Sequence, residues 1–286
     1  MSIITAYTAA DNSRIDQLRR FAAYFRAYNP NEQLKVIPFG DEVTLLEKEC
    51  KQWDFDLIQP NQKIDQCGKL IFGKQEYRPG VSSWRYMRKL NCFVDSQNSF
   101  VFFDVNNLFL SHIKIFAHIL KIAEQDVLFS AYSKQKRTIN SKMKGFYEAL
   151  DEHIGDGYNC SIIVGKNNLI YERDFELLSN PNLIKFFKKA PEQGYLAILL
   201  SLSRIKHNII QKYTEQMKLA IGGEKRTQID ATSIDLKKLE FYSKRGEVIL
   251  NYKTAGAKLV NMPEIINNEI HLRSSMWLCE HQESSA

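Results

Sequence analysis

The chain has 286 residues, 44% of them hydrophobic and 25% charged, with a formal charge of +6. These are ordinary globular proportions at a length that supports a sizeable core, and they argue against a disordered or fibrous chain. No window approaches the ~18 consecutive apolar residues of a membrane span. The start of the chain lacks the basic leader of a secretory signal. Five cysteines, an odd number without a C-x-x-C pair, favour free thiols in a reducing cytoplasm over a disulfide framework or a zinc site. The modest positive charge suits an anionic substrate or surface, and with no nucleic-acid-binding signature no nucleic-acid partner is expected.

In chain order, residues 2–7 (SIITAY) read as a strand and TAADNS as a loop. Asn12 or Ser13 is placed to cap a helix running to about residue 28, with Ile15, Leu18, Phe21, Ala22 and Phe25 at helical spacing. QLKVIPFG reads as a second strand, EVTLLEKECKQW as a helix and FDLIQP as a short strand, which is the opening of an α/β sheet. Residues 61–80 show no clear period and contain three glycines and a proline, which predicts a mobile loop poised to act as a lid. SSWRYMRKLNCFVDS predicts a helix, and FVFFDV a strand covered on both faces because its apolar residues do not alternate. IKIFAHILKIAE then reads as a helix and DVLFSAY as a strand. Later, YNCSIIVGK reads as a strand, residues 181–218 as two helices broken near Pro191 and Gly194, and EVILNYK and AKLVNM as strands. The whole is one α/β domain with a helical insertion. No glycine fingerprint of the dinucleotide-binding or P-loop kind is present.

The chemistry concentrates at the end of FVFFDVNN. Ligands of open α/β sheets bind beyond the carboxyl ends of the strands, where Asp104 sits. In an extended segment Asp104 and Asn106 would point the same way and could hold a hard divalent cation through a carboxylate and an amide oxygen. Both residue types also favour turns, so a plain turn is the competing reading. Arg85, Arg88 and Lys89 lie just upstream. On an α-helix Arg85 and Lys89 share a face that could hold phosphate, or simply face solvent.

With these residues in place the sequence resembles the A-type-fold nucleotide-sugar glycosyltransferases, in particular the family of glycogenin and bacterial lipopolysaccharide galactosyltransferases. IITAYTAADNS resembles the first strand and nucleotide loop. WRYMRKLNCFVDSQNSFVFFDVNNLFL resembles the basic helix and the Asp-x-Asp strand, YNCSIIVGK the Phe-Asn-Ser-Gly strand along the donor sugar, and NEIHLRSSMW the late histidine segment. The resemblance implies a single Rossmann-like domain with a mixed sheet. Its nucleotide-binding half would be 1–133 and its acceptor half 134–286, with the helical insertion near 181–220.

The resemblance places Thr8, Ala9 and Asp11 against the nucleoside and Arg85 and Asp104 at the donor. It makes Asp104, Asn106 and His271 the ligands of Mn²⁺ or Mg²⁺, Asn159 a donor-strand contact, and Gln228 with Asp230 the acceptor-side pair. The catalytic set is then Asp230, Asn159 and Arg85. Three departures stand out: Asn106 replaces an aspartate, Ile162 a glycine, and the late phosphate-binding lysine is absent, with Arg273 nearest to taking its place. The implied activity is transfer of a sugar, with UDP-sugars favoured, from a nucleotide diphosphate to a carbohydrate, glycolipid or protein hydroxyl, with retention of configuration. The competing reading is an inactive nucleotide-sugar-binding or scaffold protein. The expected location is cytoplasmic. Lys185, Lys188, Lys189, Arg204, Lys206 and Lys212 make the insertion basic and open a peripheral contact with anionic lipid.

Overall fold

The structure is a computed structural model, and it describes residues 4–73, 75–78, 81–109, 112–131, 158–182, 191–214, 220–221, 229–230 and 247–253. The chain opens with β1 (Ile4–Ala10), a 3-10 turn (Asn12–Arg14), α1 (Ile15–Tyr28), β2 (Leu34–Pro38), α2 (Thr44–Trp53), β3 (Asp56–Leu57) and α3 (Gln62–Phe72). A small hairpin of β4 (Glu76–Arg78) and β5 (Val81–Ser82) leads into a 3-10 helix (Ser83–Leu90) and α4 (Asn91–Asp95). Next come β6 (Ser99–Asp104), β7 (Asn107–Phe109), α5 (Lys114–Ala123), β8 (Val127–Ala131), β9 (Tyr158–Gly165), α6 (Glu172–Leu177), α7 (Pro191–Leu202), β10 (His207–Ile209) and α8 (Gln211–Thr214). The last strands are β11 (Ala220–Ile221), β12 (Ile229–Asp230) and β13 (Glu247–Lys253).

Seven strands form the main sheet in the order β10-β8-β9-β6-β1-β2-β3. β1 runs parallel to both β2 and β6, whereas β9 runs antiparallel to β6 and β8, so the sheet is mixed. β9, from the second half of the chain, lies between two strands of the first. A smaller sheet joins β11, β13 and β12, with β7 antiparallel to β13.

Both faces of the main sheet are covered, which is why β6 is apolar throughout. Val101 and Phe103 pack into one core with Leu18, Phe21, Phe25 and Phe116 from α1 and α5. Phe100 and Phe102 pack into the other with Ile64, Trp84, Met87, Phe93, Phe175 and Tyr195. Alternate residues of one strand thus serve opposite layers. Gly165 sits opposite Phe100 in the β6–β9 ladder, and a Cβ there would come within 2.6 Å of the ring's Cζ. Because Phe100 is fully buried and has no room to swing, Gly165→Ala should lower stability by about 1–3 kcal/mol. An unchanged midpoint in urea denaturation would show that the ring yields.

Four expectations need correction. The stretch expected to be a mobile loop is helical over Gln62–Phe72, where α3 buries Ile64, Cys67, Ile71 and Phe72. Asn61 caps it, its side chain accepting from the Lys63 and Ile64 N–H groups at 2.9 and 3.3 Å. Gly68, which looked like loop punctuation, is inside the helix, where a Cβ would meet Trp84 at 3.1 Å and Met87 at 3.3 Å. Second, β1 continues to Ala10, so Thr8 and Ala9 are interior strand positions and not loop residues. Third, the segment after Ser82 begins as a 3-10 helix. Fourth, the 181–218 region contains α7, which begins at Pro191 and runs through Gly194, but then a strand, β10. Residues 183–190 and AKLVNM lie outside the described residues.

Candidate functional site

The parallel strands β1 and β6 end side by side, with Ala9 paired to Asp104. Their carboxyl ends therefore deliver the Asp11–Asn12 segment and Asp104 to one edge of the sheet. The extended path stops at Asp104: Val105 and Asn106 form a tight turn before β7. Asn107 holds that turn, its buried amide donating to the Asp104 carbonyl at 2.8 Å and to the Ser161 carbonyl of β9 at 3.2 Å. The turn reading therefore holds for the backbone. The same-side projection assumed for Asp104 and Asn106 does not follow, since it needs an extended segment.

The Asp104 carboxylate does not stand alone. Lys89 Nζ lies 2.8 Å from its Oδ1, and the ammonium is only 4% exposed while the carboxylate is 24% exposed. Lys89 also lies 3.5 Å from the buried Glu192 carboxylate of α7 and donates to the Cys160 carbonyl at 3.3 Å. One cation is thus clamped between two carboxylates from elements distant in sequence. Burial alone would lower the Lys89 pKa, but Asp104 and Glu192 outweigh it and hold the ammonium charged. Burial pushes the Glu192 carboxyl up, and Lys89 offsets this only in part. A raised folded-state carboxyl means that the folded protein keeps a proton the unfolded chain has released. Stability attributable to Glu192 therefore falls as pH rises through and above glutamate's ordinary value of ~4.3. Glu192→Gln should remove that slope, gaining on the wild type between pH 4 and neutrality. Parallel stability–pH curves from chemical denaturation would rule this out.

The basic cluster divides in two because of its helix type. With three residues per turn, a 3-10 helix puts Arg85 and Arg88 on one face. Both reach Asp41, with Arg85 Nη2 at 2.6 Å and Arg88 Nη2 at 3.2 Å. Lys89 turns away from them to Asp104, which corrects the shared face assumed for Arg85 and Lys89. Arg88 is structural: it grips Asp65 of α3 through Nε and Nη2 at 2.9 and 2.7 Å and donates to the Pro38 and Gly40 carbonyls at 2.9 and 3.0 Å. Arg85 is 25% exposed, and its Nε has no hydrogen-bond partner.

Other buried polar atoms also lack partners, among them both amide atoms of Asn12 and the Asn106 amide oxygen at these strand ends, and Glu192 Oε2 and Gln193 Oε1 in the first turn of α7. Unpartnered buried polar atoms also occur elsewhere, at Asn29, Glu49 and Trp53 among others, so what distinguishes Asn12 and Asn106 is their place at the adjoining carboxyl ends of β1 and β6, where open α/β sheets receive ligands. Asn12, Glu192 and Gln193 were not among the expected site residues, and Lys89 was expected only as a candidate phosphate contact beside Arg85, not as the partner of Asp104. An E-Q pair directly after a proline that opens a helix was the available signal for Glu192 and Gln193.

Of the other expected residues, Thr8 is fully buried, and its hydroxyl donates to the Phe103 carbonyl at 2.8 Å; Ala9 is buried beside it. Asp11 accepts from the Ser13 hydroxyl at the exposed mouth of the strand edge. Asn159 Oδ1 accepts from the Ser161 N–H at 2.9 Å, fixing the β9 backbone. Asp230 lies in β12, paired with Lys253 of β13 in the smaller sheet. Gln228, His271 and Arg273 lie outside the described residues.

The fit to a divalent cation can be tested on these contacts. The Asn106 oxygen is a ligand atom without a partner, but the Asp104 charge is already matched by Lys89, whose ammonium would stand beside the metal. Among the described residues no three His, Cys, Asp or Glu side chains gather into a metal-holding group. Taken without His271, which lies outside the described residues, Asp104, Asn106 and Lys89 do not by themselves make a site for a resident dication.

No protein-family profile matches the chain, and no curated protein matches it in sequence. Solved structures do match its fold. The bifunctional glycosyltransferase WbbM superposes on 90% of the chain with a TM-score of 0.51 at 11% identity; the match covers 46% of WbbM, so the chain spans about half that protein's length. The galactosyltransferase LgtC, solved with donor and acceptor sugar analogs, matches at TM-score 0.49 and 10% identity over 95% of the chain and 94% of its own. Mouse xyloside xylosyltransferase 1 matches at 0.48 and 9% over 90% and 99%. At such identities the likeness speaks for the fold: this chain has the A-type fold of nucleotide-sugar glycosyltransferases, an α/β Rossmann-like architecture on a mixed seven-stranded sheet. Among the described residues no helix is long and apolar enough to cross a membrane.

Proposed function

We propose that the protein is a hexosyltransferase that moves a sugar from a nucleoside diphosphate donor, a UDP-sugar in the first instance, to a hydroxyl of a carbohydrate, glycolipid or protein acceptor. The observation that carries this reading is the pair of buried, unpartnered amides of Asn12 and Asn106 at the adjoining carboxyl ends of β1 and β6, with the partly exposed Arg85 held on Asp41 just beyond the neighbouring end of β2. Asp11 and the Asn12 amide face the nucleoside. Arg85 donates to the diphosphate through the Nε that has no partner in the folded chain. The bond from the anomeric carbon to the phosphate oxygen breaks as the acceptor oxygen bonds to that carbon. The acceptor proton leaves with the departing diphosphate, and the configuration is retained. Charge builds on the leaving diphosphate, where a fixed cation contributes most to lowering the barrier. Glu192 Oε2 and Gln193 Oε1 accept hydrogen bonds from sugar hydroxyls, with Asn159 along the donor strand and Asp230 on the acceptor side.

The test is a panel of nucleotide sugars assayed for transfer, for donor hydrolysis and for thermal stabilisation. UDP-sugars should stabilise the protein and turn over. Stabilisation without turnover across the panel, with acceptors of all three classes present, would favour the binding or scaffold protein, a reading that Asn106 in place of an aspartate supports. Asn12→Ala should weaken nucleotide binding by ~10-fold, the loss of one or two hydrogen bonds to a desolvated amide, while leaving the melting temperature unchanged. Equal UDP affinity in calorimetry would remove Asn12 from the site.

A further inference from the structure

We propose that Lys89 stands in for the divalent cation at the end of β6, so that nucleotide binding to this protein needs no metal. The ammonium reaches Asp104 Oδ1 at 2.8 Å, Glu192 at 3.5 Å and the Cys160 carbonyl at 3.3 Å. It is therefore held by three oxygens from β6, α7 and β9, a cation cage built from the chain itself. Hard divalent ions take carboxylate oxygens at ~2.0–2.6 Å. A dication on Asp104 would consequently lie next to a fixed positive charge in a buried setting, where repulsion is poorly screened. The substitution pattern agrees with this balance. With Lys89 supplying one positive charge, a second carboxylate at position 106 has no cation to serve, and Asn106 is neutral. The diphosphate charge then falls to Arg85, which is partly exposed and has a free Nε. Only the nucleotide arm of the test below rests on the proposed function.

Removing the built-in cation should create a metal site, because Asp104 and Glu192 would be left facing each other without a counter-charge. Mn²⁺ binding to the full chain is followed by the loss of the free-ion electron paramagnetic resonance signal. The wild type and Lys89→Arg should bind Mn²⁺ no better than a general surface, while Lys89→Met should bind at least ~10-fold tighter. Mn²⁺ should also raise the melting temperature of Lys89→Met and leave that of the wild type unchanged. UDP binding to the wild type, measured by calorimetry, should be the same in EDTA and in Mn²⁺. Stoichiometric Mn²⁺ binding by the wild type, or UDP binding that EDTA abolishes, overturns the inference. These wild-type measurements decide it even if Lys89→Met does not fold. Absence of any nucleotide binding would sink the proposed function, and the Mn²⁺ comparison would then decide the role of Lys89 by itself.

Discussion

Arg88→Ala should cost about 3–5 kcal/mol of stability, the loss expected when one partner of a buried, hydrogen-bonded ion pair is removed. Arg88 is 6% exposed and makes five polar contacts: two to Asp65, one to Asp41 and one each to the Pro38 and Gly40 carbonyls. It ties α3, the end of β2 and the 3-10 helix together at one point. Alanine would leave Asp65 without its fork of donors and two backbone carbonyls unpaired, and burial makes each vacancy expensive. Arg88→Lys should recover only part of the loss, since an ammonium cannot reproduce two parallel bonds to a carboxylate while also reaching two carbonyls. Urea denaturation of both variants measures this. A loss below ~1 kcal/mol for Arg88→Ala would mean that the network is no stronger than an exposed ion pair.

Three residues earlier on the same helix face, Arg85→Ala should do the reverse. Its one described ion pair is with Asp41, which is 66% exposed, and exposed pairs of this kind contribute at most ~1 kcal/mol. The melting temperature should therefore barely move. Transfer or donor hydrolysis should fall by ~100-fold, the usual loss when a fixed donor aimed at developing charge is deleted. The two arginines form an internal control, because they share a helix, a charge and a partner. If Arg85→Ala melts as low as Arg88→Ala, Arg85 belongs to the scaffold. If Arg85→Ala is stable and fully active on the UDP-sugar that turns over best, the diphosphate lies elsewhere.

That contrast also marks the boundary of what could be read from the chain. W-R-Y-M-R-K-L shows three cations upstream of a buried strand, and the resemblance pointed to Arg85. Nothing local says whether the backbone winds at 3.6 or 3.0 residues per turn, and the winding decides that Arg85 pairs with Arg88 in direction while Lys89 points to the sheet. The same holds for α3. Gly68 reads as a helix breaker by propensity, yet it lies where a Cβ would press on Trp84 at 3.1 Å, a close approach that exists only after folding.

What the sequence by itself determined is the set of elements whose signal is local. The unalternating apolar run of β6, the 3.6-residue spacing of Ile15 to Phe25 and the carboxylate ending β6 all depend on neighbours within one turn or one strand, so they were legible as written. What only the tertiary structure decided is which charges meet. Lys89, Asp104 and Glu192 come from separate elements of the chain, and Thr8, expected in a loop, is buried in β1 with its hydroxyl on a carbonyl of the next strand. Such pairings follow from strand order and helix packing. The free energy of a buried charge depends on what surrounds it in space, which residue type and spacing along the chain do not encode.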